Sequence, residues 1–194
     1  MSAAPMNAAP ASAPWFKSYP EGVPHTIDVG AIGTLVDRIN HSFTSYAANG
    51  AFESFGKTLT YDEIGKQSRA FAAWLQSRGM KKGDRVALMM PNVMAYPIAL
   101  FGVLLAGCTV VNVNPLYTPR ELTHQLKDSG ARIIVALENF AHVVEETLAD
   151  VKLDQVVIAS VGDSLGLKGF IINLVARHIK KVVPPYSIPG ALSF

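Results

Sequence analysis

The hydrophobic pattern of the chain is dominated by one long stretch without charge. From Val86 to Pro119 there is no Asp, Glu, Lys or Arg, so this stretch must be buried, in a protein core or in lipid. Short apolar runs alternate there with segments of helix length, and Pro, Gly or Asn residues separate them. Parallel strands covered on both faces have continuous apolar runs. The pattern therefore predicts repeated strand–helix units.

These units predict an α/β fold with a mostly parallel sheet and flanking helices. Strands are predicted near 85–90, 109–113, 132–136 and 155–159, and right-handed crossover helices near 93–106, 119–129 and 140–149. Thr118 and Glu121 have the spacing of a capping box, with Pro119 at the first helical position. Thr60 and Glu63 repeat this spacing at the start of an earlier helix.

A small β-hairpin is predicted ahead of the sheet. Phe52 to Phe55 and Thr58 to Thr60 flank Gly56-Lys57. Glycine at the first loop position fits a tight two-residue hairpin. A helix is predicted before it, over Thr34 to Tyr46, and a long helix after it, ending at Gly79.

A membrane span is the alternative interpretation of the charge-free stretch. Ala95 to Val111 has 17 residues without charge, near the lower limit of about 17–25 residues for a spanning helix. Pro97, Gly102 and Gly107 interrupt the run, and its end is β-branched. These features favour a protein core.

Composition narrows the functional class. The chain has 194 residues, 49% of them hydrophobic, and a formal net charge of +2. This balance does not predict a nucleic-acid surface. Only 16% of residues are charged, below the usual value of about 25%. This low fraction is consistent with a piece of a larger protein, part of whose surface packs against partners. Cys108 is the single cysteine, which predicts a small core residue in a reducing compartment.

Three segments are predicted along the chain. Residues 1–14, rich in Ala and Pro, form a disordered arm that lacks the basic and apolar parts of a signal peptide. Residues 15–183 form the α/β unit. Residues 184–194, which begin with Pro184-Pro185, form a linker.

Common catalytic motifs are absent from the sequence. It contains no Gly-x-x-x-x-Gly-Lys-Ser/Thr loop and no Gly-x-Gly-x-x-Gly after a strand. It also has neither a His-Glu-x-x-His motif nor the paired cysteines of a metal site. Ser164 lies in a Gly-x-Ser-x-Gly sequence, but no acid stands between it and His178, so a hydrolase elbow is not favoured. Asn112, Asn114, Tyr117 and Thr118 follow a parallel strand, where ligands bind. Support of the loop and of the next helix is the favoured role for them.

The segment from Pro91 to Ala131 closely resembles the first half of bacterial long-chain fatty-acid–CoA ligases, which are acyl-adenylate-forming, AMP-binding enzymes. The similarity includes Leu59-Thr60-Tyr61, Gly83 to Val86 and Asn139 to His142. It covers nearly everything from Trp15 to Phe194. The resemblance implies an amino-terminal subdomain, with a free-standing structural or interaction domain as the alternative.

The resemblance also implies a two-step reaction for the parent protein. Fatty acid and ATP with magnesium form an acyl-adenylate and pyrophosphate, and coenzyme A then takes the acyl group and releases AMP. The family's Thr/Ser/Gly-rich phosphate loop and its lid lysine have no matching position here. We therefore assign no catalytic, cofactor or metal residue, and expect the chain alone to be inactive and to bind no cofactor tightly. A cytoplasmic location is expected, and a homodimer and peripheral contact to the inner face of the membrane are the candidate arrangements.

The last predicted helix, Phe170 to Val183, is amphipathic. Candidate membrane contacts are Phe170, Ile171, Leu174, Arg177, Lys180 and Lys181. An apolar face beside a basic one is typical of helices that lie in a bilayer surface. The alternative is that the apolar face packs on the core and the basic face is solvated, and this arrangement is favoured because most amphipathic helices face a core.

Overall fold

The computed structural model describes residues 13–28, 30 and 33–194. The predicted arm, residues 1–14, lies outside the described residues except for its last two. The α/β architecture with a parallel sheet, flanking helices and a small hairpin is confirmed. The helices are α1 (Leu35–Ser45), α2 (Tyr61–Ser77), α3 (Ala95–Leu105), α4 (Pro119–Ser129), α5 (Ala141–Thr147) and α6 (Leu167–Leu174). The strands are β1 (Gly50–Ser54), β2 (Lys57–Thr60), β3 (Arg85–Met89), β4 (Thr109–Asn112), β5 (Ile133–Leu137), β6 (Gln155–Ala159) and β7 (Leu192–Ser193).

The main sheet has the strand order β4-β3-β5-β6-β7, and every neighbouring pair is parallel. Alternate residues of each strand point to opposite faces. Leu88 packs in the cluster formed with α2 and α3, whereas Met89 packs in the cluster formed with α4 and α5. Both side chains are at most 1% exposed. Helices therefore cover both faces of the sheet at its central strands, which explains why β3, β5 and β6 are buried almost throughout.

Local hydrogen bonds define where three of the helices begin. Thr60 and Thr118 accept hydrogen bonds from the backbone N–H groups of Glu63 and Glu121, whose carboxylates bond back to the threonine N–H groups. Both predicted capping boxes are therefore confirmed. Thr34 forms a third one, in which an aspartate takes the place of glutamate. Each box satisfies backbone donors that the helix itself leaves free.

The charge-free stretch packs in the protein core through β3 and α3, whereas β4, at the edge of the sheet, is half-buried to exposed. It divides into β3, α3 and β4, and α3 has 11 residues. Among the described residues, no helix has both the length and the hydrophobicity to cross a bilayer. Cys108, as predicted, is a buried free thiol. Desolvation on burial raises its pKa, which disfavours the reactive thiolate.

The hairpin loop differs from the prediction by one position. Its two residues are Phe55 and Gly56, with φ angles of 51° and 71°, instead of Gly56 and Lys57. Positive φ at both loop positions matches the type I′ turn that suits the twist of antiparallel strands. A β-bulge between Gly50 and Phe52 shifts the register of β1 against β2. Side-chain patterning does not reveal such a bulge.

Two predictions for the end of the chain need correction. Part of the segment 184–194, predicted as a linker, is a strand: β7 pairs with β6 through Val157–Leu192 and Ile158–Ser193. The predicted helix over 170–183 begins at Leu167 and continues as one π-helical segment, Val175–Ile179. A strand of two residues has no periodicity that the sequence could display.

Two arginines tie together the amino-terminal edge of the sheet. Arg132, before β5, donates to Asp84 Oδ2 at 2.5 Å and to Asp154 Oδ2 at 2.7 Å, which lie before β3 and β6. Arg85 donates from Nε and Nη2 to two carbonyl groups at the end of α4, each at 2.9 Å. These contacts are structural, since ligands of open α/β sheets bind at the opposite edge.

Asp84 should make stability depend on pH. The backbone N–H of Lys81 and the Arg132 guanidinium lower the pKa of Asp84. A lowered folded-state pKa gives stability that is present above the unfolded value of about 4 and lost as the pH falls through the folded value. We expect Asp84→Asn to lower the urea midpoint at pH 7, and this difference to shrink towards pH 3. Asp150→Asn is the control, because the Asp150 carboxyl is exposed and forms no ion pair with a described residue. Equal differences at both pH values would contradict the prediction.

Candidate functional site at the carboxyl edge of the sheet

The strand order identifies one edge of the sheet as the candidate site. From β3 the chain moves outward to β4, then crosses back to β5 and continues to β6. The direction of winding therefore reverses between β3 and β5. In open α/β sheets, ligands bind outside the carboxyl ends of the strands at such a switch point. Asn92 follows β3 closely, and Glu138 and Asn139 come directly after β5.

An ion pair between a buried carboxylate and a partly exposed guanidinium lies at this edge. Glu138 is 0% exposed, and its Oε2 accepts a hydrogen bond from Arg177 Nε at 2.7 Å. Arg177 Nη2 is 2.6 Å from the same oxygen, and the Arg177 side chain is 47% exposed. Glu138 Oε1 has no hydrogen-bond partner among the described residues. A carboxylate is stable at this depth only if a cation offsets its desolvation, so Arg177 is essential to Glu138.

Other titratable groups surround this pair. Burial raises the pKa of Asp163, and the negative charge of Glu138 acts in the same direction, whereas the Ser160 N–H bond and Arg177 oppose it. Burial likewise raises the pKa of Tyr186. Asp163 Oδ2 accepts the backbone N–H of Ser160 at 2.7 Å. The carboxyl ends of β5 and β6 thus carry a group of electrostatically coupled side chains in a poorly solvated region.

The polar residues at and after the carboxyl end of β4 support the chain there. Asn112 Oδ1 accepts a hydrogen bond from the Tyr96 hydroxyl at 2.9 Å. Asn114 Oδ1 accepts the backbone N–H of Leu116 at 3.0 Å, and Thr118 caps α4. These contacts agree with the structural role favoured from the sequence for Asn112, Asn114 and Thr118. Tyr117 packs against the core cluster beneath α4.

Ser164 lacks the environment of a nucleophile. Its φ angle of 65° is in the left-handed region, as a sharp turn after a strand requires. The Ser164 hydroxyl donates to Gln67 Oε1 at 3.0 Å, and no imidazole is bonded to it among the described residues. Without a base to take its proton, the hydroxyl is not activated.

A cavity of about 500 Å³ lies beside the same loop. Phe71 and Trp74 of α2, Ile98 of α3 and the terminal Phe194 provide apolar walls, and Asp163 provides a polar group. This volume is within the range of small-molecule sites, about 300–1,000 Å³. Among the described residues, no group of three or more His, Cys, Asp or Glu side chains could hold a metal ion.

The helix with the candidate membrane contacts has the opposite orientation to the arrangement favoured from the sequence. Phe170, Ile171 and Leu174 are 71%, 60% and 46% exposed. The polar side turns inward instead: Asn173 Oδ1 accepts the Gly162 N–H at 2.8 Å, and Arg177 pairs with Glu138. Arg177 is therefore paired on the inward side, although its side chain is 47% exposed, and its contact with a membrane stays a prediction. Lys180 and Lys181 are exposed, in agreement with the sequence analysis.

Sequence reasoning missed the polar group around Glu138. One signal was available, because Glu138 is a charged residue that directly follows the apolar run Ile133–Leu137. A polar residue at the carboxyl end of a predicted parallel strand is a candidate for a ligand site. Its partner Arg177 is 39 positions away, and no pattern in the sequence connects the two.

Comparisons with known proteins agree with the fold. The sequence profile described as AMP-binding enzyme matches residues 40–177. Long-chain-fatty-acid–CoA ligases from Salmonella typhimurium and Escherichia coli O6:H1 are 49% and 50% identical over 182 residues. Both alignments cover 93% of this chain but 32% of the relative, so the chain spans about a third of the length of these curated relatives.

A solved structure extends this agreement to three dimensions. The benzoate CoA ligase from Burkholderia xenovorans is 27% identical and superposes with a TM-score of 0.60, over 63% of this chain and 25% of that protein. The family profile covers well over half of the chain. The chain therefore belongs to the AMP-binding enzyme family.

Proposed function

We propose that this chain is the amino-terminal part of a long-chain fatty-acid–CoA ligase. The supporting observation is the identity of about half of the residues with two such ligases along 93% of the chain. The parallel sheet, with an open carboxyl edge at its switch point, suits an enzyme whose ligands bind there. Fatty acid, ATP and coenzyme A are the proposed substrates of the whole protein.

We expect the described residues not to bind ATP and magnesium tightly on their own. They contain no candidate metal cluster, and the sequence has no phosphate-binding loop motif. A reaction at a phosphate group of ATP needs positively charged groups that are already arranged around the negative charge of the transition state. We therefore place nucleotide binding and both chemical steps in the parts of the relatives beyond this match. The homodimer and the cytoplasmic location stay predictions.

The activity test compares two proteins. We expect the protein with any natural sequence beyond Phe194 to form palmitoyl-CoA from palmitate, ATP with magnesium and coenzyme A, and to release AMP. We expect the 194-residue chain alone to release no pyrophosphate above a blank without protein. Thioester formation is followed by chromatography, and pyrophosphate by a coupled assay.

Two results would contradict the proposal. Pyrophosphate release by the 194-residue chain, abolished by a substitution within it, would reveal a catalytic site in these residues. A natural protein that ends at Phe194 and forms no thioester would instead support a structural or interaction domain without catalysis.

A further inference from the structure

The outward face of α6 and of the π-helical segment after it is unusually apolar. Its exposed large side chains include Leu167 at 89%, Phe170 at 71%, Ile171 at 60% and Ile179 at 70% exposure. Leu167, Phe170, Ile171 and Leu174 have the spacing i, i+3, i+4 and i+7, so they line one side of the helix. A group of neighbouring exposed apolar side chains marks an interaction surface.

The charged side chains within this segment are all basic. Residues 167–183 contain no Asp or Glu. Lys168, Lys180 and Lys181 are exposed, and none of them forms an ion pair with a described residue. The charge of Arg177 is offset by Glu138 on the inward side. The surface therefore presents apolar side chains with three uncompensated ammonium groups.

Contacts on the inward side hold this surface in place. Asn173 accepts the Gly162 N–H, Arg177 is paired with Glu138, and the buried Gly169 lies directly against the backbone of Gly162. The apolar side is thus turned outward by specific polar bonds. A binding partner would meet a preformed surface, which reduces the ordering cost of association.

We propose that this face, residues 167–182, is a docking surface for an anionic lipid bilayer. The apolar side chains enter the boundary between headgroups and acyl chains, and the lysine ammonium groups contact lipid phosphates. Charge complementarity identifies lipid as the occupant, because lysine is depleted at protein–protein interfaces. The surface is independent of the proposed catalytic activity.

The test measures vesicle binding by the protein with any natural sequence beyond Phe194. The probes are phosphatidylcholine vesicles with and without phosphatidylglycerol, at low and high salt. One variant is Lys168→Gln/Lys180→Gln/Lys181→Gln, and a second is Phe170→Ser/Ile171→Ser. The matched control is Lys57→Gln/Lys127→Gln/Lys152→Gln, which removes the same charge from exposed sites elsewhere. Thermal unfolding tests whether each variant is folded. We expect all of them to fold, because every substituted side chain is exposed.

Each lysine near an anionic surface changes binding by about fivefold. We expect the triple lysine variant to bind anionic vesicles at least tenfold more weakly at low salt, with a smaller loss at high salt. The Phe170/Ile171 variant should lose binding at both salt concentrations, and the control should bind as the unchanged protein does.

Three results would overturn the proposal. The first is that the unchanged protein, the triple lysine variant and the Phe170/Ile171 variant all bind vesicles with equal affinity. Loss of folding in the Phe170/Ile171 variant would show that another part of the protein covers this face. If light scattering gives this variant a lower molecular mass than the unchanged protein, a second copy of the chain covers the face.

Discussion

Replacing Arg177 with alanine is expected to lower the free energy of unfolding by about 3 kcal/mol, the lower end of the loss when a buried charge is left without its partner, because Arg177 itself is partly exposed. The carboxylate of Glu138 is 0% exposed, and Arg177 is the cation that contacts it. Without the guanidinium, the charge stays in a region where water cannot solvate it. Urea unfolding at pH 7 measures the loss.

Glu138→Gln provides the matched test of this explanation. The amide removes the buried negative charge at nearly constant shape. The double variant Arg177→Ala/Glu138→Gln should therefore recover part of the stability lost in Arg177→Ala, and the double-mutant cycle should give a coupling above about 1 kcal/mol. Additive effects of the two substitutions would mean that Arg177 stabilises the chain through packing alone.

Replacing Gly169 with alanine is expected to destabilise the protein by about 2 kcal/mol, because it overpacks a closed contact. A Cβ atom at this position would overlap the carbonyl oxygen of Gly162, which belongs to the backbone and cannot rotate away. In a free helix the same substitution would stabilise by about 1 kcal/mol. The sign of the effect therefore reports whether α6 lies against the loop after β6.

Lys168→Ala is the control for the same helix, because Lys168 is exposed and should change stability by less than about 0.5 kcal/mol. Urea unfolding compares both variants with the unchanged chain. If Gly169→Ala proves more stable than the unchanged chain, the close contact does not exist, and the inward bonds of Asn173 and Arg177 would have to be reconsidered too.

Local features of the sequence were sufficient for most of the sheet and its helices. The capping boxes at Thr60 and Thr118 depend on residues three positions apart, so the sequence alone determines where these helices begin. The charge-free runs predicted β3, α3 and β4, because strands covered on both faces need apolar side chains throughout. Pro97, Gly102 and Gly107 correctly argued against a membrane span.

Tertiary structure decided which side of α6 faces the core. Its apolar pattern favoured burial of Phe170, Ile171 and Leu174, but the structure exposes them. A fully buried Glu138, far away in the sequence, needs a cation, and Arg177 is the residue that supplies it. Helical periodicity depends only on the apolar side chains of the helix itself. It therefore cannot show that a buried carboxylate on another element needs a cation from this helix.

Some features of the candidate site were determined by the sequence, and others only by the tertiary structure. The sequence by itself determined a parallel sheet with polar residues after its strands, since strand length, apolar runs and caps are local properties. Only the tertiary structure decided the strand order, and with it the switch point between β3 and β5. It also added β7 to the sheet and assembled Glu138, Asp163 and Arg177 at one edge, because these arrangements depend on contacts between residues that are distant along the chain.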